Sequence, residues 1–138
     1  AFLPLQYKLL LVGQWPNAEY EQKVDEIIRI KNLSHRVVKV GYTPYPQIPI
    51  ALQNADVMVL PSSFEGLPKV VVESLCVGIP SLVSGFRMQE DIKGLFYLSK
   101  IKIPRPGFPL AKSSNATFAS LSEYFRVVIE SKSNLPFK

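Results

Sequence analysis

Short apolar runs that do not alternate with polar residues constrain this chain more than any other feature of it. Residues 8–12 read Lys-Leu-Leu-Leu-Val and stop at Gly13; residues 37–40 read Val-Val-Lys-Val and stop at Gly41; residues 57–60 read Val-Met-Val-Leu and stop at Pro61. Residues 81–83 and 95–98 continue the series as Ser-Leu-Val and Leu-Phe-Tyr-Leu. A strand with one wet face alternates apolar with polar side chains, whereas a strand covered on both faces has no reason to. Helical stretches separate the runs. After Asn17, a good N-cap, Tyr20, Val24, Ile27 and Ile28 recur at helical spacing, with Glu19 and Glu21 early and Arg29 and Lys31 late, as the helix dipole favours. Pro44, Pro46 and Pro49 force a turn before a short helix around residues 50–54. A further helix covers residues 68–77, with Gly78 just past its cap and Pro80 barring continuation. The spacing of Phe118, Leu121, Phe125, Val128 and Ile129 predicts a closing helix within residues 115–131, after a Pro-rich loop over residues 100–112. Alternating strands and helices with uninterrupted apolar strands predict an α/β fold: one domain over residues 1–138, with a parallel sheet and helices on both its faces.

Charge and composition remove several classes of function. At 47% hydrophobic residues the chain can build a core. Its longest apolar runs are four residues, far short of the ~18 that a membrane-spanning helix needs. Through Phe86 seven Lys/Arg balance seven Asp/Glu, so the net charge of +5 arises entirely beyond it, from Arg87 to Lys138. That basic part leaves open a peripheral contact with a membrane surface or a phosphate-bearing ligand. No aromatic residues interleave with bases as a nucleic-acid platform requires, so no nucleic-acid partner is expected. A single cysteine, Cys76, rules out an internal disulfide; it lies in an apolar helical pattern and is expected to pack inside. His35 falls in a helix-to-strand connection and is expected at the surface, and Trp15 over the sheet edge. No metal-ligand cluster and no hydroxyl–imidazole–carboxylate set is visible.

Ligands of parallel α/β sheets sit at the carboxyl ends of strands. After Leu60 the chain reads Pro-Ser-Ser-Phe-Glu-Gly-Leu-Pro, then Lys-Val-Val-Val-Glu-Ser-Leu through Leu75. Small and hydroxylated residues let a ligand approach the backbone, and N–H groups at Gly66, Leu67 and the helix start favour an anion. Glu65 and Glu73 bracket that start. Were the intervening chain helical, eight residues would separate their backbones by about 12 Å. Hydrolytic carboxylate pairs stand roughly 5–9.5 Å apart across one bond. The spacing suits an elongated ligand with a diol at each end and a diphosphate between.

These residues also carry a resemblance. Glu65-Gly66-Leu67-Pro68, Val72-Glu73 and Gly78-Ile79-Pro80 resemble the "E, seven residues, E" signature of the retaining GT-B glycosyltransferases of group 1, the exopolysaccharide and capsule branch above all. Leu9-Leu10-Leu11-Val12-Gly13, Val40-Gly41 and residues 55–62 match the preceding strands of that family in order, and the likeness covers roughly residues 6–98. It implies a Rossmann-like, nucleotide-sugar-binding C-terminal half of a GT-B fold. Glu65 would face the transferred sugar as the catalytic candidate and Glu73 would hold the ribose hydroxyls. The amides of Gly66 and Leu67 would support the diphosphate. Ser63 is placed with them, although Ser62 and Ser63 serve equally well to shape the turn. Gly41 and Tyr42 would line the base pocket, and Arg87 follows the fourth strand near the sugar. The donor would be a substrate, such as a UDP- or GDP-sugar, and no cofactor or metal is implied.

The family's Arg/Lys pair belongs to a strand–helix unit before residues 8–12, and its acceptor-binding half comes earlier still. Both are expected outside this chain, which would then bind nucleotide weakly and transfer nothing by itself. A cytoplasmic location, at most peripheral to the inner face of the cell membrane, goes with this reading. Two alternatives stand beside it: a non-catalytic doubly wound binding module, and half of a GT-B-type epimerase or phosphorylase.

Overall fold

A computed structural model describes residues 5–97. Strand β1 (Leu9–Val12) leads to helix α1 (Ala18–Ile30) and strand β2 (Val37–Gly41). A 3-10 turn (Tyr45–Gln47) runs into α2 (Ile48–Gln53), followed by β3 (Met58–Pro61), α3 (Lys69–Cys76), β4 (Ser81–Ser84) and β5 (Leu95–Tyr97). The expected order of elements is the observed one over this range; residues 100–112 and 115–131 lie outside it. All strand pairs are parallel, β1 with β2 and β3 with β4 with β5. The chain forms two compact units that divide between Ile48 and Pro49.

In the first unit, α1 starts where the Asn17 side chain accepts a hydrogen bond from the Tyr20 N–H at 2.8 Å, so one of the helix's orphan donors is satisfied. It stops at Asn32, whose φ of +52° is left-handed. The Leu33 N–H bonds back to the Ile28 carbonyl at 2.8 Å and the Asn32 N–H to Arg29 at 3.0 Å, the paired bonds of a Schellman end. Asn is the residue after glycine that best tolerates that conformation. Lys39 on β2 ties the strand to α1 by bonding Asp25 at 2.7 Å and Glu21 at 2.8 Å. Its ammonium also lies 5.7 Å from the Trp15 ring centroid, and Trp15 meets Tyr20 at 6.1 Å. Buried Arg36 donates from Nε to the Tyr7 carbonyl at 2.9 Å and is the one buried side chain among the described residues of this unit. In this unit the strand residues Leu9, Val12, Val38 and Val40 are exposed.

The second unit holds the apolar core: Leu52, Met58, Val71, Ile79, Leu82, Val83 and Leu95. Strand β4 is central, with β3 and β5 on its two edges, and Leu82 and Val83 are wholly buried. Truncating Leu82 to Ala is expected to cost ~2–5 kcal/mol. Helix α2 starts two residues before the expected point because Pro49, lacking an N–H, fits its first turn without loss. Helix α3 ends in a second Schellman pair: Ile79 N–H bonds the Ser74 carbonyl at 2.9 Å, Gly78 N–H bonds Leu75 at 3.0 Å, and Gly78 has φ +76°. Cys76, expected inside, is exposed. Five residues beyond buried Val71, at about 100° per residue, it points some 140° away from the inward face.

Candidate functional site

Residues 62–68 emerge from the carboxyl end of β3, whose last residue, Pro61, pairs with Ser84 of β4. The two strand ends are fastened to each other. Ser84 Oγ donates to the Ser62 carbonyl at 2.6 Å, and the Glu65 N–H donates to the Gly85 carbonyl at 3.0 Å. Within the loop Ser62 Oγ donates to Glu65 Oε1 at 2.6 Å, so the half-buried carboxylate is held at one oxygen. Phe64 is left outside, 83% exposed.

The next residues are bare. Gly66 and Leu67 are exposed, and among the described residues nothing accepts from their N–H groups. A Cβ placed on Gly66 would meet nothing within 4 Å. Helix α3 follows with Pro68 as its N-cap residue, and Pro68 supplies no side-chain hydrogen bond. The first N–H groups of α3 therefore lack a protein cap, an arrangement that favours an anion. An N-cap role for Glu65 is excluded, since Pro68 holds that position. Only residues from Lys69 onward are helical, so Glu65 and Glu73 do not share a helix.

Glu73 is half-buried at the fifth position of α3, and no described residue bonds or pairs with its carboxylate. Its neighbour Ser74, wholly buried, donates to the Ile79 carbonyl at 2.7 Å. Because that contact uses the hydroxyl proton, the 2.8 Å contact with buried Ser81 has Ser81 as donor. Helix α3 is thus pinned to β4 directly beside Glu73.

After β4 the chain turns at Gly85 and passes Tyr97, the last residue of β5. The Met88 N–H donates to Tyr97 Oη at 3.0 Å, Phe86 meets the ring edge-on at 6.3 Å, and the Arg87 guanidinium lies 5.1 Å from the ring centroid. Arg87 is exposed, braced by an aromatic face. Sequence reasoning passed over Tyr97 and Gly85; a glycine directly after a strand end was the signal for the second.

The other expected site residues, Gly41 and Tyr42, belong to the first unit. Gly41 closes β2 with φ +77° and accepts from the Gly13 N–H at 2.9 Å; a Cβ there would meet nothing within 4 Å. Tyr42 is 69% exposed. Ser63, Glu65, Gly66, Leu67 and Glu73 lie together on the one loop-and-helix segment of the second unit. Trp15 is engaged by Lys39 and Tyr20, and His35 is exposed as expected. Among the described residues no group of three His, Cys, Asp or Glu side chains is placed to hold a metal ion.

A family model described as "Glycosyl transferases group 1" matches residues 4–95, more than half of the chain. A protein of Bacillus subtilis (strain 168), EpsF, named as a glycosyltransferase, is 28% identical over 102 residues, covering 74% of this chain and 25% of its own length. WcaL of Escherichia coli (strain K12), named for glycosyl transfer in colanic acid biosynthesis, is 31% identical over 81 residues, covering 54% and 19%. The chain thus spans a quarter or less of the curated relatives it matches. Among solved structures, Anabaena HepE in complex with UDP-glucose superposes with a TM-score of 0.69 at 20% identity, over 96% of this chain and 34% of that one. The apo form of the lipopolysaccharide outer core galactosyltransferase WaaB superposes with a TM-score of 0.56 at 18% identity, over 95% and 33%. At those identities the likeness is one of fold: a Rossmann-like α/β arrangement of parallel strands and helices.

Proposed function

We propose, from the premise that this chain belongs to the group 1 glycosyl transferases, that it binds the nucleotide-activated sugar from which a longer enzyme transfers a hexose during polysaccharide synthesis. The observation that carries this is the segment from Ser62 to Glu73. A carboxylate bonded by Ser62 is followed along it by two amides and a helix start that no described residue caps, and then by a second carboxylate that no described residue bonds. In this reading Glu73 takes the ribose diol through both oxygens, as an acceptor-only group can. The amides at Gly66 and Leu67, with Ser63, meet the diphosphate. Glu65 faces the sugar; a role for Gly41 and Tyr42 at the base is proposed on the family likeness alone. As the glycosidic bond to the diphosphate breaks, negative charge grows on the departing phosphate, and N–H dipoles already aimed there stabilise it without reorganising. The remaining task is positioning.

Retention of configuration, and a place in exopolysaccharide or capsule synthesis, are proposed on the family likeness alone. So is a cytoplasmic setting with the basic residues beyond Phe86 against a membrane. No cofactor is assigned, the nucleotide sugar being the substrate. Transfer would also need an acceptor-binding half and the family's Arg/Lys pair, so this chain alone is expected to bind nucleotide weakly and to transfer nothing.

Calorimetric titration with UDP, GDP and their hexose conjugates tests the reading. Saturable binding that Glu73→Ala abolishes supports it. A binding module without catalytic ancestry would leave the titration flat for every nucleotide, and robust transfer by the 138-residue chain would refute the expected inactivity.

A further inference from the structure

The two acids of the site are not equivalent. Among the described residues nothing bonds the Glu73 carboxylate, which leaves both its oxygens available, whereas Glu65 Oε1 already accepts the Ser62 hydroxyl at 2.6 Å. Ser62 is itself held from behind. Its carbonyl accepts from Ser84 Oγ at 2.6 Å, and the Glu65 N–H reaches the Gly85 carbonyl at 3.0 Å. The carboxylate is therefore fixed at its backbone and at one oxygen, on a loop anchored to the central strand of the second unit. Short hydrogen bonds to ionised groups are the stronger kind, and they fix geometry as well as energy.

We infer that Ser62 is a positioning residue that orients Glu65 by holding one of its acceptor sites, so that the carboxylate meets a hydroxyl of the transferred sugar from a fixed direction while Glu73, unheld among the described residues, turns to suit its partner. This rests on the function proposed above, and it adds to it a specificity device. A carboxylate free at both oxygens rotates to suit either of two neighbouring hydroxyls. The Ser62–Glu65 bond holds the carboxylate against that rotation, so its remaining acceptor sites keep one direction. Ser62 acts through Glu65 and touches no substrate itself.

The test titrates the full chain and its Ser62→Ala and Ser62→Thr variants with UDP and UDP-glucose, and with GDP and GDP-mannose, using whichever pair the wild type binds. Exchange of the Glu65 N–H, followed by NMR, reports separately whether the loop stays on Gly85. The expected result is unchanged affinity for the nucleoside diphosphate and about a tenfold loss for the sugar nucleotide in Ser62→Ala, restored in Ser62→Thr. The Glu65 N–H should stay protected in all three proteins. Undiminished sugar-nucleotide affinity in Ser62→Ala overturns the inference. So does an equal loss for both ligands with faster Glu65 exchange, which would make Ser62 a brace for the loop alone. If the wild type binds no nucleotide while its Glu65 N–H is protected, the proposed function has failed on an intact loop and takes this inference with it; wild-type binding with an indifferent Ser62→Ala sinks the inference only.

Discussion

Gly85 lies hard against Ser62: a Cβ at residue 85 would stand 2.8 Å from the Ser62 carbonyl oxygen and 2.9 Å from the Phe64 nitrogen. The two residues follow paired strands, β4 and β3, and this closeness lets the Ser84 hydroxyl and the Gly85 carbonyl reach the loop that carries Glu65. The site's geometry is thus set by a contact between backbones, with no room for a side chain.

Gly85→Ala should therefore be costly twice over. Its φ of +87° strains any side chain, and the new methyl group collides with backbone that cannot rotate away. A loss of about 1–3 kcal/mol is expected, read as a lower urea midpoint. An unchanged midpoint would show that the loop is not seated on Gly85.

Gly66→Ala should do the opposite. Gly66 lies outside the left-handed region and a methyl group there meets nothing within 4 Å, so stability should change by no more than about 0.5 kcal/mol. The same methyl group stands beside the bare amides, and nucleotide affinity should fall by about tenfold, roughly 1.4 kcal/mol. Undisturbed affinity would move the diphosphate elsewhere.

Ser74 and Ser81 form a buried pair in which Ser81 donates to Ser74 and Ser74 to the Ile79 carbonyl. Ser74→Ala strands a buried donor and is expected to cost about 1–3 kcal/mol in chemical denaturation. The Ser74→Ala/Ser81→Ala double variant should cost less than the sum of the singles, with a coupling of about 0.5–3 kcal/mol. Strict additivity would mean that the hydroxyls do not interact.

Lys39 has its pKa held above the usual lysine range, first by its bond to Asp25 and then by its bond to Glu21. A group raised on folding contributes stability that is complete below its unfolded pKa, near 10.4, and lost as pH climbs through the folded value. The urea midpoint should fall more steeply above about pH 10 in the wild type than in Lys39→Met. The gap between the two should narrow in high salt, because the side chain is 30% exposed. Trp15, the single tryptophan, lies 5.7 Å from this ammonium and supplies the fluorescence signal. Parallel pH curves for the two proteins would count against the pair.

Through residue 97, what the amino-acid order determined by itself is the run of elements and where the bare amides fall. Asn17, the proline turns, Gly78 with Pro80, and the apolar runs all act within four or five residues of themselves, a range that propensity and capping rules describe. The Glu-Gly-Leu-Pro segment was legible for the same reason, as a strand end followed by an uncapped helix start. Tertiary structure alone decided the rest. Ser84 meets Ser62 across 22 residues and Arg36 meets Tyr7 across 29, contacts that depend on which strands lie side by side and in what register. Cys76 turned outward through which face of α3 packs against the core, the face that carries Val71. Periodicity says that a face is apolar; only the packed chain says what covers it, and in the first unit much of that face stays exposed.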